Sequence, residues 1–324
     1  MKVIKASSYY LEKKHPYEMI ERIGKVCYKS EGSITDTSAE PFVEKMVKLN
    51  HMAMLEHGWI HFIVQSDIVP YIYDRLKEES KYLVLTMIGD IATDKDLLLI
   101  SGSLRALNYK ECKAIWDLGI GKLLCGEGFE TALLPKGIEV PKGKDDIVLK
   151  MLTDEMVIDA LQGDTKEIMK HIVHSAHFVC DRGVSHEFVR HRPCSFAQES
   201  TRYCDYQHDK HGNEITVIEP SYFETTEMGH SLPEYEFWLN AMETAEERYM
   251  RMRGVGLPAQ IARAVLPNSL KTELIITANE EEWQHIIDLR YRGTTGAPHP
   301  DMKQSMSLIV DTLVEKSDGR LIKE

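Results

Sequence analysis

No Cys-x-x-Cys pair occurs in this 324-residue chain, and its six cysteines (Cys27, Cys112, Cys125, Cys180, Cys194, Cys204) follow no framework spacing. Zinc ribbons and disulfide-stapled secreted scaffolds are thereby disfavoured, and free thiols in a reducing cytoplasm are expected. Long apolar runs are missing too. No stretch approaches the roughly 20 residues of a membrane helix, and Met1-Lys2-Val3-Ile4-Lys5 lacks the apolar centre of a signal peptide. Positive charge is scarce: the formal net charge of -12 argues against gripping nucleic acid by counterion release. Gly-x-Gly-x-x-Gly, Gly-x-Ser-x-Gly and His-Glu-x-x-His are all absent. A dinucleotide-binding Rossmann unit, a nucleophile elbow and a zincin are therefore not expected. The length allows one large domain or two modest ones with a full core.

What the chain does hold is Arg190-His191-Arg192-Pro193-Cys194-Ser195-Phe196-Ala197-Gln198-Glu199-Ser200-Thr201-Arg202-Tyr203. Three adjacent cations, then a serine and a further arginine, repel one another unless an anion joins them. Guanidinium forks match phosphate or carboxylate edges through paired, charge-assisted hydrogen bonds. The plain alternative is a solvated basic face, or ion pairing with the chain's many carboxylates.

Hydrophobic period gives the elements. Residues 2–9 read as a short strand, 17–26 as a helix, and 41–50 as a helix with Pro41 in its first turn. His51-Met52-Ala53-Met54-Leu55-Glu56-His57 precedes a strand at 59–64. Its histidines lack a zincin spacing and no third ligand is signalled, so no metal is expected. Residues 67 to about 172 read as mostly helical, over 68–76, 97–116 and 147–161, around a Gly- and Pro-containing loop at 119–144. From 175 come a strand, a helix at 184–190 ended by Pro193, and a polar connection at 206–233 with a turn at 209–213. An amphipathic helix at 234–253 puts Trp238, Met242, Ala245, Tyr249 and Met252 on one stripe, suited to a core or a subunit contact. A helix at 259–266, a strand at 272–277, a helix capped by Asn279 and reaching Arg290, and a last helix at 302–314 complete the chain. Two internal echoes pair His61-Phe62-Ile63-Val64 with His177-Phe178-Val179-Cys180, and Ile100-Ser101-Gly102-Ser103 with Ile276-Thr277-Ala278-Asn279. If they mark a repeat, the 67–172 segment adds a strand and a helix to the same sheet.

Arg-His-Arg, seven residues and Ser, filled here by Arg190, His191, Arg192 and Ser200, resembles the signature of the flavin-dependent thymidylate synthases. Supporting matches are His51 to His57, similar to that family's His-x-x-x-x-Glu-His segment, and Ala262-Arg263 with Leu266-Pro267 after two apolar residues. The spacing of Asn279, His285 and Arg290 is similar as well. The resemblance implies an α+β fold, a mixed or antiparallel sheet flanked by helices, built from residues 1–66 and 173–324. Residues 67–172 would be a largely helical insertion packed on or extending that domain.

The same resemblance implies reductive methylation of dUMP to dTMP. FAD would be the tightly used cofactor, NADPH the electron source and methylenetetrahydrofolate the carbon donor, in a cytoplasmic homotetramer whose sites draw on several chains. Side chains carry no hydride, so a redox cofactor fits the chemistry. Carried over residue by residue, flavin contacts fall on Cys27, His51, Glu56, Arg190, His191, Arg192, Ala197, Asn279 and His285. Nucleotide contacts fall on Glu187, Glu199, Ser200, Thr201, Arg202, Arg263 and Arg290, with Arg290 as a charge clamp on the pyrimidine carbonyl. Ser200 has no recognisable base beside it and is read as a binding residue, not a nucleophile. Glu187 stands where the family commonly has glutamine and is expected to pair with Arg190 or Arg202. Ala53 and Glu281 replace a hydroxyl residue and an arginine. These departures, with the inserted segment, motivate a rival, a noncatalytic flavin and nucleotide sensor; a third reading is a hydrolase holding a metal on His51 and His57.

Overall fold

Runs of β-branched, aromatic and leucine side chains settle into strands in this computed structural model, which describes residues 1–27, 29–90, 95–134, 147–202, 204–207 and 212–324. They are β1 (Lys2–Ile4), β2 (Ser7–Leu11), β3 (Trp59–Gln65), β4 (Val84–Asp90), β5 (Lys95–Ser103), β6 (Val148–Leu152), β7 (Val173–Asp181), β8 (Ser195–Gln198), β9 (Thr216–Ile218) and β10 (Lys271–Asn279). Two antiparallel four-stranded sheets result, ordered β2-β7-β10-β8 and β4-β5-β3-β6, with β1 and β9 pairing in parallel beside them. The expected α+β class is what forms. The 67–172 segment does not extend one common sheet: β4, β5 and β6 join β3 in a second sheet of their own.

The 97–116 helix expected from sequence is a correction. Leu98, Leu99 and Ile100 are all fully buried in β5, and an uninterrupted apolar run covered on both faces carries no period to tell strand from helix. Likewise 147–161 divides into β6 and a helix Asp154–Ala160, whose N-cap Thr153 accepts from Met156 N. The 302–314 helix is two, Pro300–Ser307 and Val310–Lys316. The loop expected at 119–144 is corrected over its first part, where Ile120–Leu124, Cys125–Phe129 and Glu130–Leu133 are helical; residues 135–144, like most of the turn expected at 209–213, lie outside the described residues.

Helix α1 (Pro16–Cys27) is the wedge between the sheets. Met19, Ile23 and Val26 face Ala197 and Ile275 of the first sheet, while Tyr17 and Ile20 enter a core with Phe62 and Ile100 of the second. Full burial of each such side chain contributes about 1.5–3 kcal/mol. Helix α2 (Ala39–Lys48) crosses α1 at Gly24, where an added Cβ would lie 2.6 Å from the Phe42 ring. Behind the first sheet, Trp283, Ile286, Met302 and Leu313 close a third layer over Phe178 and Phe188. The C-terminal turn is fastened there by Arg320, which donates twice to the fully buried Glu280 at 2.8 Å. Burial works to raise the Glu280 carboxyl, but Arg320 and His174 outweigh it and hold it below its ordinary range.

Candidate functional site

The Arg182–Phe188 helix ends at its C-cap Val189, before Pro193, and the chain turns into β8, so the cationic motif sits on a short corner fixed by a helix on one side and a strand on the other. Arg190 and Arg192 are exposed on that corner, and among the described residues no hydrogen bond or ion pair holds their side chains. His191 between them is buried. Arg290 reaches it from a π-helical turn, Asp288–Arg292, that continues the Glu280–Ile287 helix. Its Nε donates to His191 Nε2 at 3.1 Å, Nη1 to Glu187 Oε2 at 2.8 Å and Nη2 to the Glu187 carbonyl at 3.2 Å. Because a guanidinium only donates, His191 Nε2 must accept, which leaves Nδ1–H to donate to Glu282 Oε1 at 3.2 Å. The result is a relay from Glu187 through Arg290 and His191 to Glu282. The His285 ring stands edge-on to His191 at 5.5 Å. The ligating atoms of His191, Glu282 and His285 lie within 4.8 Å of one another, but both His191 nitrogens are already spoken for.

Glu187 was expected to pair with Arg190 or Arg202, and this is corrected: its partner is Arg290. The helix brings Glu187 onto the side facing the π turn, a juxtaposition no sequence spacing encodes.

A second cluster forms at the other end of β8. Ser195 lies across from Thr277 and Gln198 across from Leu274, so the residues after Gln198 emerge at the opposite edge of the sheet from Arg190 and Arg192. Here the buried Glu199 accepts from Lys271 Nζ at 2.9 Å, and Glu273 is held by Lys271, Lys29 and, at 3.0 Å, His177. Burial opposes the charge on Glu273, yet those three partners keep its carboxyl far below its ordinary range. Burial also works against the Lys271 ammonium, and Glu199 and Glu273 override it to raise its pKa. Ser200 Oγ accepts from Arg202 N at 3.3 Å, and Arg263 Nη1 donates to Thr201 Oγ1 at 3.3 Å. An open cleft of about 350 Å³ lies here, lined in part by Lys2, Lys29, Lys271, Glu199 and Tyr206. Two of its lysines, Lys29 and Lys271, are each ion-paired with both Glu199 and Glu273.

The remaining expected residues divide between these clusters and the core. Cys27 lies near Glu199 and Glu273, and burial followed by those carboxylates pushes its thiol up to about 12, which makes it an inert filler. Ala197 is buried under α1. Glu56 accepts from Arg105 Nη1 at 2.6 Å, and Arg105 also pairs with Glu111. His51 is exposed at the head of the Met52–His57 turn. Asn279 caps the next helix by accepting from Glu282 N at 2.9 Å while donating to the Lys170 carbonyl. Within one chain the arginines near 190, at 202 and at 263 do not converge: Arg290 and the Arg-His-Arg corner share one end of β8, Ser200, Thr201 and Arg263 the other. Sequence reasoning missed Arg105, Glu282, Lys29, Lys271 and Glu273, which belong to no motif and become functional candidates only through strand register.

The family model described as "Thymidylate synthase complementing protein" matches residues 139–316. A flavin-dependent thymidylate synthase from Geobacter sulfurreducens is 34% identical over 109 residues, 34% of this chain and 43% of that one. One from Thermococcus onnurineus is 32% identical over 111 residues, covering 34% and 42%, and one from Corynebacterium aurimucosum is 32% identical over 146 residues, covering 42% and 55%. The chain thus spans about half the length of the curated relatives it matches. Among solved structures, a UMP/dUMP methylase PolB from Streptomyces cacaoi bound with 5-Br dUMP aligns over 97% of this chain and 93% of that one, at 12% identity and a TM-score of 0.41.

Proposed function

This chain belongs to the thymidylate synthase complementing protein family, and on that premise we propose that it is a flavin-dependent thymidylate synthase, reductively methylating dUMP to dTMP. The observation that carries the reading is the Arg-His-Arg corner, where two exposed guanidiniums flank a histidine locked in one tautomer by Arg290 and Glu282. Exposed forks of that kind fit the pyrophosphate of FAD, and the exposed His285 ring fits a flat partner. Arg190, Arg192, His191 and His285 would hold that cofactor, which when bound supplies the hydride that completes the methyl group.

The chain's own residues do the rest. Ser200, Thr201, Arg202 and Arg263 offer hydroxyl and guanidinium donors to a nucleotide phosphate. Arg290, already oriented by Glu187, stabilises negative charge on a pyrimidine carbonyl as the ring becomes enolate-like. His191 holds its proton on Nδ1 and moves none. Methylenetetrahydrofolate is the carbon donor and NADPH the reductant in this reading. Because the two clusters lie at opposite ends of β8, a complete site draws on more than one chain, in keeping with a cytoplasmic homotetramer. The Pro233–Gly254 helix supports assembly: it buries Met242 and Tyr249 but leaves Phe237 72% exposed.

One observation favours a second reading, a flavin and nucleotide binder without turnover: the Arg290 fork is closed on Glu187. Incubating the reduced flavoprotein with dUMP and methylenetetrahydrofolate decides between them. Thymidylate is the expected product, and its absence while flavin and nucleotide both bind would leave the sensor.

A further inference from the structure

The two four-stranded sheets repeat each other strand for strand. Across each sheet one edge strand (β2 or β6) borders a central strand (β7 or β3), and a second inner strand (β10 or β5) lies between that and the other edge strand (β8 or β4). The register repeats as well. Aligning Thr277 with Ser101 places Ser175 on His61, Ser195 on Val84 and Leu11 on Leu152 through the observed pairs.

Polar contacts follow the same correspondence. His57 Nδ1 hydrogen-bonds Thr277 Oγ1 at 2.8 Å, and its counterpart His171 Nδ1 hydrogen-bonds Ser101 Oγ at 2.7 Å. Ser175 joins Thr277 at 2.7 Å, as His61 joins Ser101 at 2.7 Å. Glu280 N donates to the Ile172 carbonyl as Leu104 N donates to that of Gly58. Asn279 caps Glu282 N, and Ser103 caps Ala106 N.

The first strand and helices of each half lie on the sheet of the other: β2 pairs with β7, and β6 pairs with β3. Lys13 and Asp154 are counterparts just beyond those strands, and they form an ion pair with each other. A contact between equivalent positions marks an axis of two-fold symmetry. The family-model match to residues 139–316 covers the second half, from β6 through β7, β8 and β10.

The halves differ in their ligand-bearing corner. Between β3's following helix α3 (Val69–Glu79) and β4 stand Ser80, Lys81, Tyr82 and Leu83, where the second half has Arg190, His191 and Arg192. At the same distance along the chain from β5 as Arg290 is from β10 stands Ala114, fully buried, whose amide donates to Glu79 Oε2.

We infer that the chain is a tandem duplication with exchanged arms, in which residues 1–134 are a silenced copy of residues 147–324, kept as a built-in partner. The retained copy has the cationic corner, and the silenced copy lends it the arm bearing His51 and Glu56. His57 is the positioning residue that seats this arm on Thr277, and His171 is its counterpart in a seam with no ligand. The ligand clauses rest on the proposed function; the symmetry does not.

In the full-length protein, equilibrium dialysis should give one FAD and one dUMP per chain, and two of either would overturn the silencing. His57→Gln should weaken FAD retention at least tenfold. His171→Gln, or Ser101→Ala if that variant fails to fold, should lower Tm yet leave FAD affinity within twofold. Equal effects on FAD at both seams would remove the asymmetry. A protein that binds neither ligand refutes the proposed function, and charge reversal then decides the symmetry. Lys13→Asp and Asp154→Lys should each lower Tm and the double reversal should restore most of the loss; a double variant no better than the two losses combined rejects the axis.

Discussion

Arg290 is held in place by Glu187 on one side and His191 on the other, so its direction, not its charge alone, is what the fold supplies. Arg290→Lys keeps a cation but cannot bond Glu187 twice and His191 once. We expect thymidylate formation to fall by one to two orders of magnitude, with the flavin spectrum and Tm nearly unchanged. The seam histidines make a separate statement about acid. Burial pushes His57 down to about 4 and His171 down to about 3. The unfolded chain protonates both near pH 6.5 while the folded chain does not. Protons therefore favour unfolding as pH falls below 6.5, and the loss continues to about pH 4 for His57 and about pH 3 for His171, on the order of 3–5 kcal/mol per histidine. Urea titrations at pH 7.5 and 5 should show it, and His171→Gln should flatten the pH dependence. At this scale the sequence spoke clearly where a motif was local, as in Arg190-His191-Arg192 and the Asn279 cap. It was silent about Glu282, Arg105 and the Lys29–Glu273–Lys271 cluster, because their partners are fixed by strand pairing between distant segments.

Among the elements, α1 bears the tightest constraint. Gly24 admits the Phe42 ring against the helix backbone, and Gly24→Ala gains helix propensity of about 1 kcal/mol but forces that ring aside at a cost of about 1–3 kcal/mol. Net destabilisation by chemical denaturation is expected, with Phe42→Leu in the same chain relieving part of it. Helices α1 and α2 were legible because their polar and apolar positions alternate at helical period. The strand β5 was not, since Leu98, Leu99 and Ile100 are buried on both sides. Of the two echoes between the halves, Ile100-Ser101 with Ile276-Thr277 is in register, while the other is slipped by two residues: His61 corresponds to Ser175 and not to His177. Side chains in a strand return to the same face every second residue, so a two-residue slip keeps the pattern of buried positions and escapes detection by composition.

For the whole molecule, a nucleotide that binds the folded chain alone must raise its stability in proportion to occupancy. With dUMP at a hundred times its Kd the gain is about 2.7 kcal/mol, and Arg263→Ala should reduce the accompanying Tm rise at any fixed dUMP concentration. An equal rise in that variant would take Arg263 out of the nucleotide site. Among the described residues no helix is long and apolar enough to cross a membrane. The presence of two sheets in place of one with an insertion was not readable, because which strands pair is settled by contacts more than a hundred residues apart, as between Leu11 and Ser175.

The π-helical turn at Asp288–Arg292 accommodates one residue more than a regular helix would over the same rise. Deleting a single position there would let the backbone relax into ordinary winding and turn the side chains inside the stretch to new directions. The guanidinium now aimed at Glu187 would sweep away from the corner, so this stretch can tolerate changes of side chain far more readily than a change of length.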